Sequence, residues 1–402
     1  MKEAYIFDGI RTAIGKLGGG LSATRADDLA AIPLKELLNR NPNVDPKAID
    51  DVILGCHNQA GEDNRNVARM ALLLAGIPYS VPGETINRLC SSGMSAIVHA
   101  GRSIKSGDAD LIIAGGMEHM TRGPLVLSKS ESAFTGQQKI YDSSFGWRFI
   151  NSKMQEKYGV ESMGLTAENL AEMYKISRED QDAFAYHSQM KAFEAEAKGY
   201  FAGEIIAVNH IDKKGNTTVF DKDEFIKPNT TIEALSKLKP AFKKEGGTVT
   251  AGNSSGLNDG AAAVLIGSEQ AAKDFNLIPR GRIVSSAVVG VEPRIMGIGP
   301  VAATHKALSK ANLSLDDIDI IELNEAFSAQ SLAVIRELGL DDNDPRINPN
   351  GGAIALGHPL GMSGTRIGYT ALRALEKQNK RYALATMCIG VGMGYALIIE
   401  RI

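Results

Sequence analysis

Four residues in this sequence have the types and settings that nucleophilic catalysis uses. Cys90 stands in NRLCSSGMSAI, directly before a stretch that reads as a helix. A thiol there faces unpaired N–H groups and the positive end of the helix dipole, which lowers its pKa and favours bound anions. The small residue and the glycine after it let a backbone approach a substrate. Most unpaired cysteines are buried small hydrophobes, so spacing alone leaves both readings open. Cys388 ends an apolar strand and runs into CIGVGMG. The glycines form a flexible turn with free N–H groups, which suits an oxyanion; a core thiol is the equal alternative. His358 lies in GGAIALGHPLGMSG, where turns rather than a helix place its ring. Asn324, in LNEAFSAQ, stands where a strand gives way to a helix, a frequent position for functional polar groups in α/β folds.

Other patterns carry less. Cys56, at a strand end in LGCHNQAG, has nothing around it to activate a thiol and reads as core. Gly297 to Ala302, GIGPVA, matches a G-x-G-x-x-A dinucleotide fingerprint, a weak signal alone. The three cysteines are too scattered for a zinc site, and no His or Cys pair has ligand spacing, so no metal is expected. His99, His187 and His305 fall in helical stretches and read as solvent-facing or packing. FKKEGG reads as a solvated turn.

These residues need elements to hold them. Ala4 to Phe7, Ile49 to Leu54, Glu84 to Ile86 and the apolar LIIAGG read as strands. Between them Asp27 to Asn39, NVARMALLLAG and Ser91 to Ser106 read as helices, with Asp27 or Asp28 as a cap for the first. Alternating strands and helices imply a parallel or mixed sheet with helices on its faces. From about residue 121 to 250 that rhythm stops, charged and aromatic residues thicken, and the single tryptophan, Trp147, appears. A helix begins near Thr166, and Ser177 caps another that runs to Lys198 and stops at Gly199. This stretch reads as an insertion. The βα rhythm then resumes: strands at Ile283 to Val289 and Ile318 to Leu323, helices at Val301 to Ala311, Ser331 to Glu337 and Gly364 to Glu376, and two closing strands, YALATMC and YALIIE.

The two rhythmic parts look like a repeat. In each, a helix leads to a DPKAIDDVILG or SLDDIDIIELN strand, and Cys90 and His358 follow at nearly equal spacing. Pseudo-twofold packing would bring Cys90 and His358 to one cleft. The length of 402 residues suits two or three domains. The net charge of −3 argues against nucleic-acid binding. Apolar runs such as residues 71 to 77 fall short of the roughly 20 residues a bilayer needs. Three cysteines exclude a disulfide framework and fit a reducing compartment. The chain opens on a strand-like EAYIFDGIRT and closes on ALIIERI, so a cytoplasmic protein without a leader is the expectation.

Taken together, NRLCSSGM, NEAF, GGAIALGHPLGMSG, CIGVGMG and AGNSSGLNDGAAA resemble the signature blocks of the thiolases, in order and from about Tyr5 to the C-terminus. The resemblance implies two similar βαβαβαββ halves in a layered αβαβα arrangement, with an inserted loop domain. The halves would be residues 1–120 with 251–279 and residues 280–402, and the coenzyme A-binding insertion residues 121–250. It implies a homodimer or homotetramer with no permanently bound cofactor, using coenzyme A or acetyl-CoA as substrate. By the same resemblance Cys90 is the nucleophile, His358 takes its proton, and Cys388 shuttles a proton to the enolate or from incoming coenzyme A. Asn324 positions a water that, with His358, makes one oxyanion hole; the N–H groups of Cys90 and Gly390 make the second. Ser255 and Met163 lie along the pantetheine, with Ala251, Leu257, Met296, Ala326 and Phe327 nearby. Lys227 falls where biosynthetic relatives often carry an adenine-side arginine, and Ser162 where they carry a histidine, which argues against an acetoacetyl-CoA biosynthetic role.

NQAGEDNRNVARMALLLAGIP and FGWRFINSKMQEKYGVESM resemble β-ketoadipyl-CoA thiolases of aromatic degradation. The expectation is thiolysis of 3-oxoadipyl-CoA to succinyl-CoA and acetyl-CoA. A general 3-ketoacyl-CoA thiolase of fatty-acid β-oxidation and an acetyl-CoA C-acetyltransferase are the near alternatives. A distal carboxylate calls for a cation, and Arg65, Arg69 and Arg148 are equal candidates. A ketosynthase normally carries a second histidine where Cys388 stands. A non-catalytic CoA- or lipid-binding relative would lose Cys90 or His358. An NAD dehydrogenase and a Cys–His–Asn protease are the remaining rivals.

Overall fold

The computed structural model describes residues 2–130, 132–134, 136, 138–211 and 214–402. The chain opens with β1 (Tyr5–Thr12) and the short β2 (Gly15–Lys16), then α1 (Ala26–Arg40). Neither Asp27 nor Asp28 caps α1: both lie in its first turn, and the Ala26 N–H is met at 3.0 Å by the distant Glu62 carboxylate. β3 (Asp51–Gly55), α2 (Val67–Leu74) and β4 (Gly83–Ile86) follow, with Asn66 capping α2 through the Arg69 N–H. α3 (Ser92–Ser106) leads into the fully buried β5 (Leu111–His119).

The next stretch contains β6 (Leu125–Leu127), β7 (Ile140–Asp142), α4 (Ser152–Tyr158), α5 (Met163–Met173) and α6 (Arg178–Ala197). Ser177 caps α6 by accepting from the Asp180 N–H at 3.0 Å. β8 (Ile205–Ile206), β9 (Val208–Ile211), β10 (Thr217–Phe220) and α7 (Ile232–Ser236) complete it. This stretch is not wholly separate, because β8 pairs in parallel with β1. β11 (Asn258–Gly267) and α8 (Glu269–Asp274) return to the main sheet. Then come β12 (Gly281–Gly290), α9 (Gly299–Ala311), β13 (Ile320–Leu323), α10 (Ser328–Glu337), α11 (Ala353–Leu356) and α12 (Leu360–Gln378). The hairpin β14 (Tyr382–Ile389) and β15 (Met393–Arg401) closes the chain.

The main strand order is β13-β14-β15-β12-β1-β11-β5-β3-β4. Read outward from the centre, it repeats. β1 pairs antiparallel with β11, β11 antiparallel with β5, and β5 parallel with β3. On the other side β12 pairs antiparallel with β15, β15 antiparallel with β14, and β14 parallel with β13. The two series join at the centre, where Tyr5 pairs with Arg282 and Ile6 with Gly281. Core packing makes the layers. Leu29, Leu34 and Leu37 of α1 and Ala71 and Leu72 of α2 cover one face of the first series. Ala303, Ala307 and Leu308 of α9 and Val334 and Ile335 of α10 cover the second. Between them lie α3 and α12, whose Met94, Ile97, Ile104, Ile367 and Leu372 pack against strands of both series. This is the αβαβα layering that alternating strands and amphipathic helices demand.

Glycines let the middle layer close. A Cβ on Gly364 would lie 2.3 Å from the Met94 nitrogen, and one on Gly93 would lie 2.6 Å from the Gly361 oxygen. A Cβ on Gly116 would meet that same oxygen at 2.0 Å. The helix after Cys90 and the helix after His358 therefore touch backbone to backbone. Side chains at these positions would push the two halves apart.

Candidate active site

Cys90 does not sit on the helix itself. It lies within one 3-10 turn, Leu89–Ser91, between β4 and α3. Leu89 has a φ of +49°, a left-handed conformation that branched and bulky residues rarely adopt. Neighbouring side chains hold it there. Asn87 Oδ1 accepts from the Leu89 N–H at 2.8 Å, and Ser92 Oγ donates to the Leu89 carbonyl at 2.7 Å. Cys90 is half-buried while Ser91 and Ser92 are fully buried. Its thiol pKa is raised, against the expectation from a helix N-terminus. Burial is the largest cause and outweighs the N–H groups of Gly390 and Cys90 that favour the thiolate. Glu118, a buried carboxylate nearby, adds to the rise.

His358 is buried, and its backbone N–H donates to Asn258 Oδ1 at 2.9 Å. Its Nδ1 is 2.6 Å from Ser363 Oγ, while Ser363 Oγ donates to the Pro359 carbonyl at 2.8 Å. A hydroxyl has one proton. Since that proton goes to Pro359, the proton between Ser363 and the ring must sit on Nδ1. Nε2 then carries a lone pair, 3.4 Å from Asn324 Nδ2. Burial first, and the Arg366 charge second, push the His358 pKa down to about 3. The ring is a neutral base over the ordinary pH range.

Asn324 follows the last residue of β13, and its N–H donates to the Thr386 carbonyl of β14 at 3.0 Å. Its Oδ1 is buried with no partner among the described residues. Cys388 lies one residue before the end of β14 and is buried. Burial raises its thiol pKa strongly, and the neighbouring Cys90 adds to the rise. The turn behind it is tight. Val391 and Gly392 have φ of +64° and +84°, the pattern of a tight hairpin. A Cβ on Gly392 would lie 2.2 Å from the Val291 oxygen. Gly390 is thereby held with its N–H toward the Cys90 sulfur, and its Cα side faces Leu89 and the Met163 sulfur.

The other named residues surround this centre. Met163, Met296, Ala326, Phe327 and Cys388 form one apolar cluster with Ala167, Ala171 and Val249. The Ser255 N–H donates to the Ala326 carbonyl at 3.0 Å, which ties the AGNSSG loop to NEAF. Leu257 is half-buried, and Ala251 and Lys227 are exposed. The Lys227 ammonium lies 4.7 Å over the Phe225 ring, and Phe225 in turn packs on Gly256. Sequence reasoning missed Ser363, Asn258, Glu118 and Glu325. Ser363 and Asn258 stood inside motifs already singled out, at spacings that could have been queried. Glu118 accepts N–H groups from His57, Asn58 and Gly361, and burial lifts its pKa to about 7. Glu325 accepts from Ser188 Oγ, Asn348 Nδ2 and the Ile354 N–H. Glu325 also stood inside a quoted block, NEAF, whereas nothing local marks Glu118, whose partners come from distant segments.

Cys56 is buried beside Asp63 and Glu118, and burial pushes its thiol pKa well up. The three groups lie within 4.8 Å. The carboxylates already accept backbone N–H groups from His57, Asn58, Gln59, Gly61 and Gly361. The GIGPVA glycines also have a packing cause. A Cβ on Gly299 would meet the Met393 oxygen at 2.4 Å, and one on Gly297 would meet Gln330 and Leu170 at 2.6 Å.

Comparison with known proteins agrees with this arrangement. Residues 4–270 match the thiolase N-terminal domain and residues 277–401 the thiolase C-terminal domain. The chain is 60% identical, over 100% of both chains, to the 3-oxoadipyl-CoA/3-oxo-5,6-dehydrosuberyl-CoA thiolase of Escherichia coli K12. It is 59% identical, again over 100% of both, to a beta-ketoadipyl-CoA thiolase of Acinetobacter baylyi. The crystal structure of Bacillus anthracis acetyl-CoA acetyltransferase superposes with a TM-score of 0.93 at 41% identity, covering 100% of this chain and 99% of that one. The chain belongs to the thiolase family of acyltransferases.

Proposed function

We propose that this thiolase cleaves 3-oxoadipyl-CoA with coenzyme A to give succinyl-CoA and acetyl-CoA. The observation that carries the substrate is the 60% identity, along all 402 residues, to the E. coli enzyme named for it. His358 Nε2 takes the Cys90 proton, and the thiolate attacks the ketone carbon. The Cα–Cβ bond then breaks: the succinyl group stays on Cys90 as a thioester, and the acetyl-CoA enolate leaves. Cys388 gives its proton to the enolate carbon. It then takes the proton of incoming coenzyme A, whose thiolate attacks the acyl-Cys90. The Cys90 thiolate released recovers its proton from His358.

The geometry supports these roles. The lone pair on Nε2 is what a base for Cys90 requires. Once protonated, the same nitrogen becomes a donor beside Asn324, fit to hold the enolate oxygen with an Asn324-bound water. The N–H groups of Cys90 and Gly390 converge on the sulfur and serve the thioester oxyanion. A raised thiol and a depressed imidazole leave the pair uncharged at rest, so charge forms only with substrate in place. Met163, Ser255, Met296, Ala326 and Phe327 line the pantetheine path, with Ala251, Leu257 and Lys227 toward its mouth.

In this reading residues 1–120 with 251–279 supply Cys90, residues 280–402 supply His358, Cys388 and Asn324, and residues 121–250 cover the coenzyme. The mirrored strand order supports that division. The enzyme works in the cytoplasm as a homodimer or homotetramer. β4 is an edge strand, and Met70, Leu73, Leu74 and Tyr79 are exposed near it. No helix among the described residues is long and apolar enough to cross a membrane.

Coenzyme A-dependent thiolysis of acetoacetyl-CoA, 3-oxoadipyl-CoA and a long-chain 3-oxoacyl-CoA tests the substrate. The highest kcat/KM is expected with 3-oxoadipyl-CoA. If it were the poorest of the three, the general fatty-acyl or acetoacetyl reading would replace this one.

A further inference from the structure

The three arginines that sequence could not rank are separated by their surroundings. Arg69 lies on α2, and its guanidinium donates to the Val81 and Tyr79 carbonyls, which holds it against the connection between α2 and β4. Arg65 is exposed on a left-handed turn with a φ of +63°. Arg148 is half-buried like Arg69, and no carboxylate among the described residues pairs with either, but Arg148 stands beside Asn58 in the loop that Asn87 ties to Leu89. Its guanidinium donates to the Ser143 carbonyl at 2.9 Å and lies 3.5 Å from Asn58 Oδ1. A guanidinium has five donors in a planar fork, and these two contacts use Nη1 and Nη2 alone, which leaves the Nε edge for a ligand.

Its position follows from three anchors. Trp147, the preceding residue, donates from Nε1 to the Glu161 carbonyl at 3.0 Å, two residues before Met163. Asn58, on its other side, donates from Nδ2 to Ser143 Oγ at 3.0 Å. Asn87 then links that loop to the nucleophile: its Nδ2 donates to the His57 carbonyl at 3.0 Å, and its Oδ1 holds the Leu89 N–H. Phe149, the next residue, has a φ of +50°, a strained setting of the kind that gathers at ligand sites. His57 beside it is held neutral, its pKa pushed down to about 4 by burial and then by the Arg148 charge. Of this pair the cation is therefore Arg148.

Resting on the 3-oxoadipyl-CoA reading above, we propose that Arg148 receives the distal carboxylate of the acyl chain and sets the preference for a dicarboxylic substrate. The acyl group held on Cys90 carries two methylenes and then a carboxylate. That carboxylate is an anion taken out of water and needs a cation beside it. A guanidinium offers it two parallel hydrogen bonds, which an ammonium does not reproduce.

The test compares two substrates that differ only at the end of the chain: 3-oxoadipyl-CoA and 3-oxohexanoyl-CoA, in which a methyl replaces the carboxylate. The readout is the ratio of their kcat/KM values. For Arg148→Met the ratio is expected to fall on the order of 10- to 100-fold, the worth of hydrogen bonds to a charged group. Arg148→Lys should fall between that variant and the parent. Because the ratio is internal to each protein, loss of active enzyme through misfolding cancels. A parent that favours 3-oxoadipyl-CoA and an Arg148→Met variant with the same ratio would overturn the assignment of Arg148 alone. A parent that favours 3-oxohexanoyl-CoA would overturn the substrate reading and this assignment with it.

Discussion

Ser363→Ala is the sharpest probe of the tautomer argued above. The wild-type hydroxyl accepts from His358 Nδ1 at 2.6 Å while donating to the Pro359 carbonyl at 2.8 Å. Alanine removes the acceptor, leaves a buried N–H unpaired, and frees the ring to place its proton on Nε2. A ring protonated there cannot take the Cys90 proton. The imidazolium formed during acylation also loses its hydrogen bond, in a site where burial already presses the pKa down to about 3. A hydrogen bond to a charged group contributes about 1.5–3 kcal/mol, or roughly 10- to 150-fold in rate. The step to measure is acylation of Cys90 by acetoacetyl-CoA, quenched rapidly and read by mass spectrometry. Ser363→Thr, which keeps the hydroxyl, should recover most of the loss. An alanine variant that acylates within about threefold of wild type would refute the argument, because the ring would then be shown to need no acceptor at Nδ1.

Cys388→Ala should still form the acyl adduct once but lose turnover by about 10²- to 10⁴-fold, the usual worth of a positioned acid–base group; burst kinetics separate the two steps. The depressed pKa of His358 predicts that the acid limb of kcat/KM belonging to this residue falls near pH 3 to 4, not near the ordinary histidine value; a limb at pH 6 to 7 that vanishes in a His358 variant would contradict it. Glu118 has a folded pKa of about 7 against an ordinary 4.5, so its contribution to stability is full below the lower value and is lost as pH rises through the upper one. Relative to wild type, Glu118→Gln should gain in melting temperature between pH 5 and pH 8. In an exposed helix a glycine-to-alanine change stabilises by about 1 kcal/mol. Gly364→Ala should instead destabilise by about 1–3 kcal/mol and slow acylation, since the new Cβ meets Met94 at 2.3 Å; denaturant titration gives the sign.

The sequence alone determined the element types and the strand–helix rhythm that repeats along the chain. Period-2 and period-3.6 patterns are local, so strands such as Leu111–His119 and helices such as Arg178–Ala197 were legible to within a few residues. The motif blocks around Cys90, Asn324, His358 and Cys388 were legible for the same reason: each is continuous in the chain. Tertiary structure decided what depends on groups distant in sequence. It put Cys90 in a 3-10 turn beside the Gly390 N–H and raised a thiol that a helix end alone would have lowered, because burial outweighed the dipole. It assigned the His358 proton through Ser363, and it gave the site Glu118, whose three backbone partners lie up to 243 residues away. It also put Arg148 beside the loop that Asn87 ties to Leu89, and Arg69 against the connection between α2 and β4. An arginine's type is written in the sequence, but where its charge stands depends on which segments the fold brings to it.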